Sequence, residues 1–272
     1  MVLGNGIGVP FSKNEVSAGT SYLLDDLSAA PDVIISPSKI FASSFEVKPI
    51  IKIRRTSDNA ELDFTGADIT AGNDLTWIGS QTSFVRLVYD QTDNSKDAGS
   101  AATRDQSQYT DASGNKIVMG DGNPAPEQST GMTFPALGFT GANGAAVFRF
   151  NGGTNTRFSL FRQTISLAPS YFMVQSGSTS SVAGNIRTPV IKINGTTLSP
   201  YTAGSFYSAI TGADVTVRIT GIDWSANSDW NATAGAHLTY RANPLKMSSV
   251  ALYNSEPSSA DLDLIVSAFE AT

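Results

Sequence analysis

"VRLVYDQTDNSKDAGSA", Val85 to Ala101, opens on a β-rich apolar run and then places Asp90, Asp93 and Asp97 close together. Three readings are open: a cation loop, a pair of acids for catalysis, or a turn that closes a strand. Asp90, Asp93, Asn94 and Asp97 are hard oxygen donors of the type calcium takes. Their spacing lacks the D-x-[DN]-x-[DN]-G run and closing glutamate of an EF-hand. In the turn reading, Asp90 ends the strand and Asp93 and Asn94 hold a turn through Asx hydrogen bonds. That reading makes the preceding residues an inner strand, and the fold follows from finding others like it.

They recur along the chain. "PIIKIRR" (Pro49 to Arg55), "AAVFRFN" (Ala145 to Asn151), "TPVIKING" (Thr188 to Gly195), "DVTVRITGI" (Asp214 to Ile222) and "MSSVALYN" (Met247 to Asn254) mostly alternate apolar and polar residues. Alternation is the mark of a sheet with one buried face. Gly, Asn, Ser and Thr clusters such as "NGGTNT" separate the runs and favour turns. The expectation is an all-β antiparallel sandwich with few short helices. One helix is expected near the C-terminus, in "PSSADLDLIVSAFEAT". Ser258 or Ser259 caps it, Asp261 and Asp263 sit in its first turn, and Leu262, Ile265, Val266 and Phe269 form one apolar stripe. "TSYLLDDLSA" and "GNDLTWIGS" are further helix candidates, with Trp77 of the latter expected in the core.

Composition narrows the chemistry. The chain has 272 residues, 40% hydrophobic and 15% charged, enough to bury a large core. A net charge of −6 and a pI near 4.7 argue against binding nucleic acid or anionic lipid. No cysteine is present, which excludes disulfides, thiolate metal sites and cysteine nucleophiles. The single histidine, His237, sits in a strand-like run without a nucleophile-elbow motif and is expected to be structural. No stretch is long and apolar enough to insert in a membrane, and "MVLGNGIGVPFSKNEV" lacks the basic start and unbroken apolar run of a secretory signal. Its glycines at 4, 6 and 8 do not make a phosphate loop at a chain terminus. An extended arm over 1–19 is expected, completing the fold or reaching a neighbouring subunit, ahead of one domain over 20–272.

Two ordered segments carry a family resemblance: "IKIRRTSDNAELD" (Ile51 to Asp63) and "VYDQTDNSKDA" (Val88 to Ala98). With "SYLLDDL" before them and "VALYNSEPSSADLDLIVSAF" at the other end, they resemble arabinofuranosidase-B-like modules of the concanavalin A-like lectin and glucanase superfamily. The departure is an insertion, "SAAPDVIISPSKIFASSFEVKP", between the first helix and first strand. The resemblance implies a jelly-roll sandwich. Such modules occur in secreted sugar-active proteins and in bacteriophage structural proteins. Absent cysteines and an absent signal favour the second setting. The expectation is a non-enzymatic virion component of the capsid decoration, tail or fibre. It is made in the host cytoplasm, assembles as a homo-oligomer with other virion proteins, and carries a glycan-binding surface. A glycoside hydrolase of arabinofuranosidase type and a free lectin-like module are the alternatives.

The residues bear on that choice. "ELDFTG" puts Glu61 and Asp63 on one strand face and resembles the E-x-D-x-x-E motif of laminarinase-type glucanases, but Gly66 stands where the acid/base glutamate belongs. A hairpin turning at Asp58 and Asn59, with the carboxylates paired to Arg54 or Arg55, is the structural alternative. No catalytic residue is assigned and no cofactor is expected, calcium apart. Sugar binding needs aromatic platforms among polar groups, and "GIDWSANSDWNATAG" offers Trp224 and Trp230 with Asp229 and Asn231. The same loop would serve as a subunit contact or as ordinary packing.

Overall fold

Alternating side chains commit a segment to one buried face, and the strands so committed pair antiparallel wherever a register is defined. The computed structural model of the chain describes residues 21–92, 94–99, 106–122, 132–133, 137–151, 157–163, 173–175, 189–200, 202–226, 236–241 and 247–271. The first half contains α1 (Leu23–Asp26), β1 (Val33–Ile35), a 3-10 turn (Ser43–Phe45), β2 (Pro49–Arg55), β3 (Glu61–Thr65), α2 (Gly66–Ala71), α3 (Asn73–Ile78), β4 (Ser83–Val88), β5 (Ala98–Gly99), β6 (Ser107–Thr110), β7 (Lys116–Gly122) and β8 (Met132–Thr133). There follow β9 (Gly144–Asn151), β10 (Arg157–Gln163), β11 (Met173–Gln175), β12 (Val190–Ile193), β13 (Thr196–Thr197), α4 (Ala203–Ile210), β14 (Asp214–Ile222), a 3-10 turn (Trp224–Ala226), β15 (Ala236–Arg241), β16 (Met247–Tyr253) and α5 (Ser259–Glu270).

Two sheets result. One runs β1-β16-β9-β14-β12-β13; the other runs β11-β10-β15-β8-β5-β4-β2-β3, with β6 bridging β4 and β7. Phe148, Phe150, Val217 and Leu252 of the first sheet and Ile51, Ile53, Val85 and Val88 of the second share one core between the sheets. The protein is therefore the expected all-β antiparallel sandwich. His237 lies in β15, opposite Arg162 and Thr133 in the register. The proposed arm over 1–19 lies outside the described residues.

The first sheet is buried on both faces. Ile34, Ala145, Val147, Ala251 and Tyr253 point away from the sandwich core and meet Leu262, Ile265 and Phe269 of α5, the stripe expected from the sequence. Each of the isoleucine, valine, leucine and phenylalanine side chains among them contributes about 1.5 to 3 kcal/mol on burial. The helix is fixed at both ends. At its start Ser258 caps the amide of Asp261 at 3.1 Å, and the Asp261 carboxylate takes bonds from the Ser28 amide at 2.8 Å and hydroxyl at 2.6 Å. At its end Lys39 Nζ donates to the carbonyls of Ala268 at 2.6 Å and Ala271 at 3.1 Å, where the helix dipole favours a cation.

The Ser28 hydroxyl and amide, with Ser258, hold the Asp261 carboxyl below the usual carboxylate range. A depressed pKa contributes stability that is present above the unfolded value, about 3.9, and is lost as pH falls through the folded one. Asp261→Asn should therefore lower the melting temperature at pH 7, and the gap to wild type should narrow below about pH 4. Equal gaps at both pH values in thermal melts would remove this role.

Two helices were not legible beforehand. Both α2 and α4 begin with reciprocal caps, Thr65 with Asp68 and Thr202 with Ser205. The insertion after α1 also has a defined place. It supplies β1, the edge strand paired with β16 through Val33↔Leu252, Ile34↔Ala251 and Ile35↔Val250.

Candidate functional site

The site is assembled where β4 runs out. Tyr89, Asp90 and Gln91 leave the second sheet and meet the edge of the first. Asp90, 2% exposed, accepts the Ile34 amide at 3.0 Å and the Thr92 amide at 3.1 Å on Oδ1. Its Oδ2 accepts the Thr92 hydroxyl at 2.7 Å and the Lys96 amide at 3.1 Å. Gln91 donates its amide to the Ile34 carbonyl at 2.8 Å. Its side chain takes the Phe41 amide at 2.7 Å and gives a bond to the Lys39 carbonyl at 2.6 Å. The Asp-Gln pair is a clasp that closes the outer edge of β1 and joins the two sheets.

This geometry bears on the calcium reading. The Asp90 oxygens face N–H and O–H donors, and a cation would have to displace them. Asn94 turns its amide to the Asp32 carbonyl at 2.9 Å, and Asp97 Oδ1 accepts the Asp90 amide at 2.9 Å. Asp93 lies outside the described residues. Among the described residues no group of three or more acidic or histidine side chains converges. Asp90 makes an Asx turn of its own with the Thr92 amide.

Beside the clasp is a cleft of about 280 Å3, lined by Phe45, Lys48, Pro49, Tyr89, Asp90, Thr92, Ser95 and Asp97. Lys48 places its ammonium 4.8 Å from the Phe45 ring centre. The Tyr89 hydroxyl donates to Asp63 Oδ1 at 2.7 Å. Burial, then the bonded Asp63, push the Tyr89 phenol well above its ordinary range, so it stays a neutral donor. Asp97 is also raised, by burial first and by the nearby Asp90 charge, against the lowering effect of the Asp90 amide bond. A carboxyl perturbed in this way within a cleft marks the place in the fold to examine for ligands.

Glu61 and Asp63 lie on the edge strand β3, outside the cleft lining, with Asp63 tied to it only through Tyr89. The hairpin turns at Asp58 and Asn59 as expected, with Asn59 at φ 58° and the Ala60 amide on Asp58 at 3.0 Å. The carboxylates do not pair with Arg54 and Arg55. Asp63 faces Lys52 at 3.7 Å, its direct cross-strand neighbour, and Glu61 faces Arg86 at 3.4 Å. Arg54 is buried instead, bonded to Gln106 at 2.7 Å and Asn59 at 2.9 Å over the Phe84 ring. Arg55 forks onto Asp58 at 2.9 and 2.7 Å and lies over Trp77, which packs edge-on against Phe64 at the border of the core. Gly66 opens α2 in the core, where an added Cβ would stand 2.4 Å from Ile40. A side chain there would have to push the Ile40 side chain aside.

The tryptophan loop divides. Trp224 is fully buried, its indole N–H bonded to the Tyr253 carbonyl at 2.8 Å and its ring edge-on to Phe139 at 5.1 Å. It fits only because Gly144 has no side chain, a Cβ there falling 1.7 Å from Nε1. A sugar platform or subunit anchor needs an open ring face, so Trp224 is neither. Trp230, Asp229 and Asn231 lie outside the described residues.

Comparison with known proteins gives fold-level likeness alone. No family model matches the chain, and no curated protein sequence does. Among solved structures, a GH54 α-L-arabinofuranosidase soaked with a cyclic sulfate inhibitor is 14% identical at a TM-score of 0.49. A mutant GH54 enzyme soaked with 4-nitrophenyl α-L-arabinofuranoside gives 14% and 0.48. An arabinofuranosidase complexed with arabinofuranosyl-α-1,2-xylobiose gives 14% and 0.40. Each match covers 88% of this chain, which spans only 62%, 62% and 61% of the three in turn.

Proposed function

We propose that the chain is a non-enzymatic structural module of a bacteriophage virion, a capsid decoration or a part of the tail or fibre. It works as a homo-oligomer among other virion proteins, with the Tyr89 cleft as its glycan-facing site. One observation carries the non-enzymatic part. Glu61 and Asp63, the acids best placed by sequence for hydrolysis, are engaged across strands by Arg86, Lys52 and Tyr89, and the third position is a glycine packed on Ile40. The virion setting is supported by the sequence resemblance and the cysteine-free, acidic composition.

The glycan reading is favoured by the cleft's chemistry. Lys48 offers donors, Asp97 keeps one carboxylate oxygen beyond its bond to the Asp90 amide, and the Tyr89 hydroxyl keeps its lone pairs. A sugar hydroxyl both donates and accepts, and such a mixed wall suits vicinal pairs of them.

Purified protein incubated with arabinosyl and glucosyl substrates should release no sugar. Turnover that disappears in Glu61→Gln or Asp63→Asn would replace this reading with a hydrolase. On a glycan array, wild type should bind and Lys48→Met and Asp97→Ala should each weaken binding about tenfold, as loss of a charge-assisted bond does. A blank array removes the glycan-facing site. Mass spectrometry of purified particles should find the chain at a fixed copy number; its absence would remove the virion setting.

A further inference from the structure

We propose that a groove beside α1 seats the chain's own first residues, Leu3 to Phe11, laid in as an extended arm. The groove encloses about 430 Å3 between α1, α2 and the C-terminal end of α5, with Tyr22, Leu23, Ile40, Phe41, Thr70 and Ala268 among its lining. Its walls mix apolar surface with the hydroxyls of Ser38 and Thr70 and the stem of Lys39. Leu23 and Ile40 are only half-buried, which leaves apolar surface for an occupant to cover.

The sequence of the arm fits such a seat. In "MVLGNGIGVPF", Leu3, Ile7, Val9 and Phe11 fall on odd positions and Gly4, Gly6 and Gly8 on even ones, with no charged side chain among them. In extended backbone, alternate side chains share a face. The arm then has one largely apolar ridge, interrupted by Asn5, and one bare edge, and the bare edge lets the backbone lie close to a wall. Pro10 has no N–H to leave unpaired there.

Connection supports the chain's own groove over that of another copy. Ser21 and Tyr22 themselves line the groove, so the chain arrives at its mouth. The nine residues between, "SKNEVSAGT", are mostly polar and include a glycine. They span up to about 30 Å, enough to reverse direction and lay Leu3 to Phe11 back along the walls. A tethered segment at this distance is present at an effective concentration of about a millimolar.

The chain has no cysteine, so an engineered pair reports position without background. Val9→Cys with Thr70→Cys, and separately Ile7→Cys with Ala268→Cys, are oxidised in the full-length protein and run on non-reducing gels. At least one pair should close at monomer mass. Deleting residues 1–11 should lower the melting temperature by about 5 °C. Thr70→Trp, which fills the groove, should cost a similar shift in the full chain and none in the truncated one, because the two lesions remove the same contact. Cross-links only at dimer mass would place the arm on another copy and overturn the proposal. No cross-link in either pair, or a truncated chain that melts with wild type, would overturn it as well. If the truncated chain does not fold, the cross-links decide alone.

Discussion

Asp90→Ala should cost about 3 to 5 kcal/mol of unfolding free energy, a large share of the total for a single domain. The carboxylate is buried and accepts three backbone amides, from Ile34, Thr92 and Lys96, as well as the Thr92 hydroxyl. Alanine leaves those amides without an acceptor, at about 1 to 3 kcal/mol for each one that water cannot reach. Asp90→Asn separates the parts of the effect. Its oxygen can still serve Ile34 and Thr92, while its NH2 would face the Lys96 amide, donor against donor. It should fall between wild type and alanine. Urea unfolding at pH 7 measures both, and a loss under about 1 kcal/mol in the alanine variant would mean that the clasp does not hold β1.

Trp224→Ala should be comparably severe, at about 3 to 5 kcal/mol, the range for truncating a large buried aromatic. It opens a cavity against Phe139 and leaves the Tyr253 carbonyl without its donor. Trp224→Phe keeps much of the ring and loses the N–H, so it should cost less. Gly144→Ala attacks the same contact from the other side, since its Cβ would overlap the indole nitrogen. A surface platform would predict losses within about 0.5 kcal/mol for the tryptophan variants. Chemical denaturation of the three variants tells these apart.

The contrast between the two residues marks what was legible in the sequence. Periodicity is local, and it located β2 and β14 to the residue and α5 with its cap and stripe. The hairpin turn was legible for the same reason, because Asp58 and Asn59 carry their own turn chemistry. Trp224 stood open between a binding platform, a subunit contact and ordinary packing because its neighbours in the chain are polar; it is the last. Its real surroundings, Phe139, Gly144 and Tyr253, come from other segments. Asp90 was read as a strand end, and β4 closes two residues before it, at Val88, but its acceptor role depends on Ile34, 56 residues away in the chain. Charge pairing failed on the same ground. Arg54 sits opposite Glu61 in register, yet Gln106 and Asn59 draw its guanidinium elsewhere.

The clasp also bears on the order in which the fold can be built. β1 emerges from the ribosome more than two hundred residues before its sheet partner β16; the Ser36 to Ser248 bond alone spans 212. Loop-closure entropy makes such a pairing late and slow. Until then Val33, Ile34 and Ile35 would be a bare apolar edge on the nascent chain, a hazard for aggregation. Asp90 and Gln91 arrive far sooner. By bonding the Ile34 amide and carbonyl they can act as a provisional neighbour, shielding one side of β1 while the other waits for its strand.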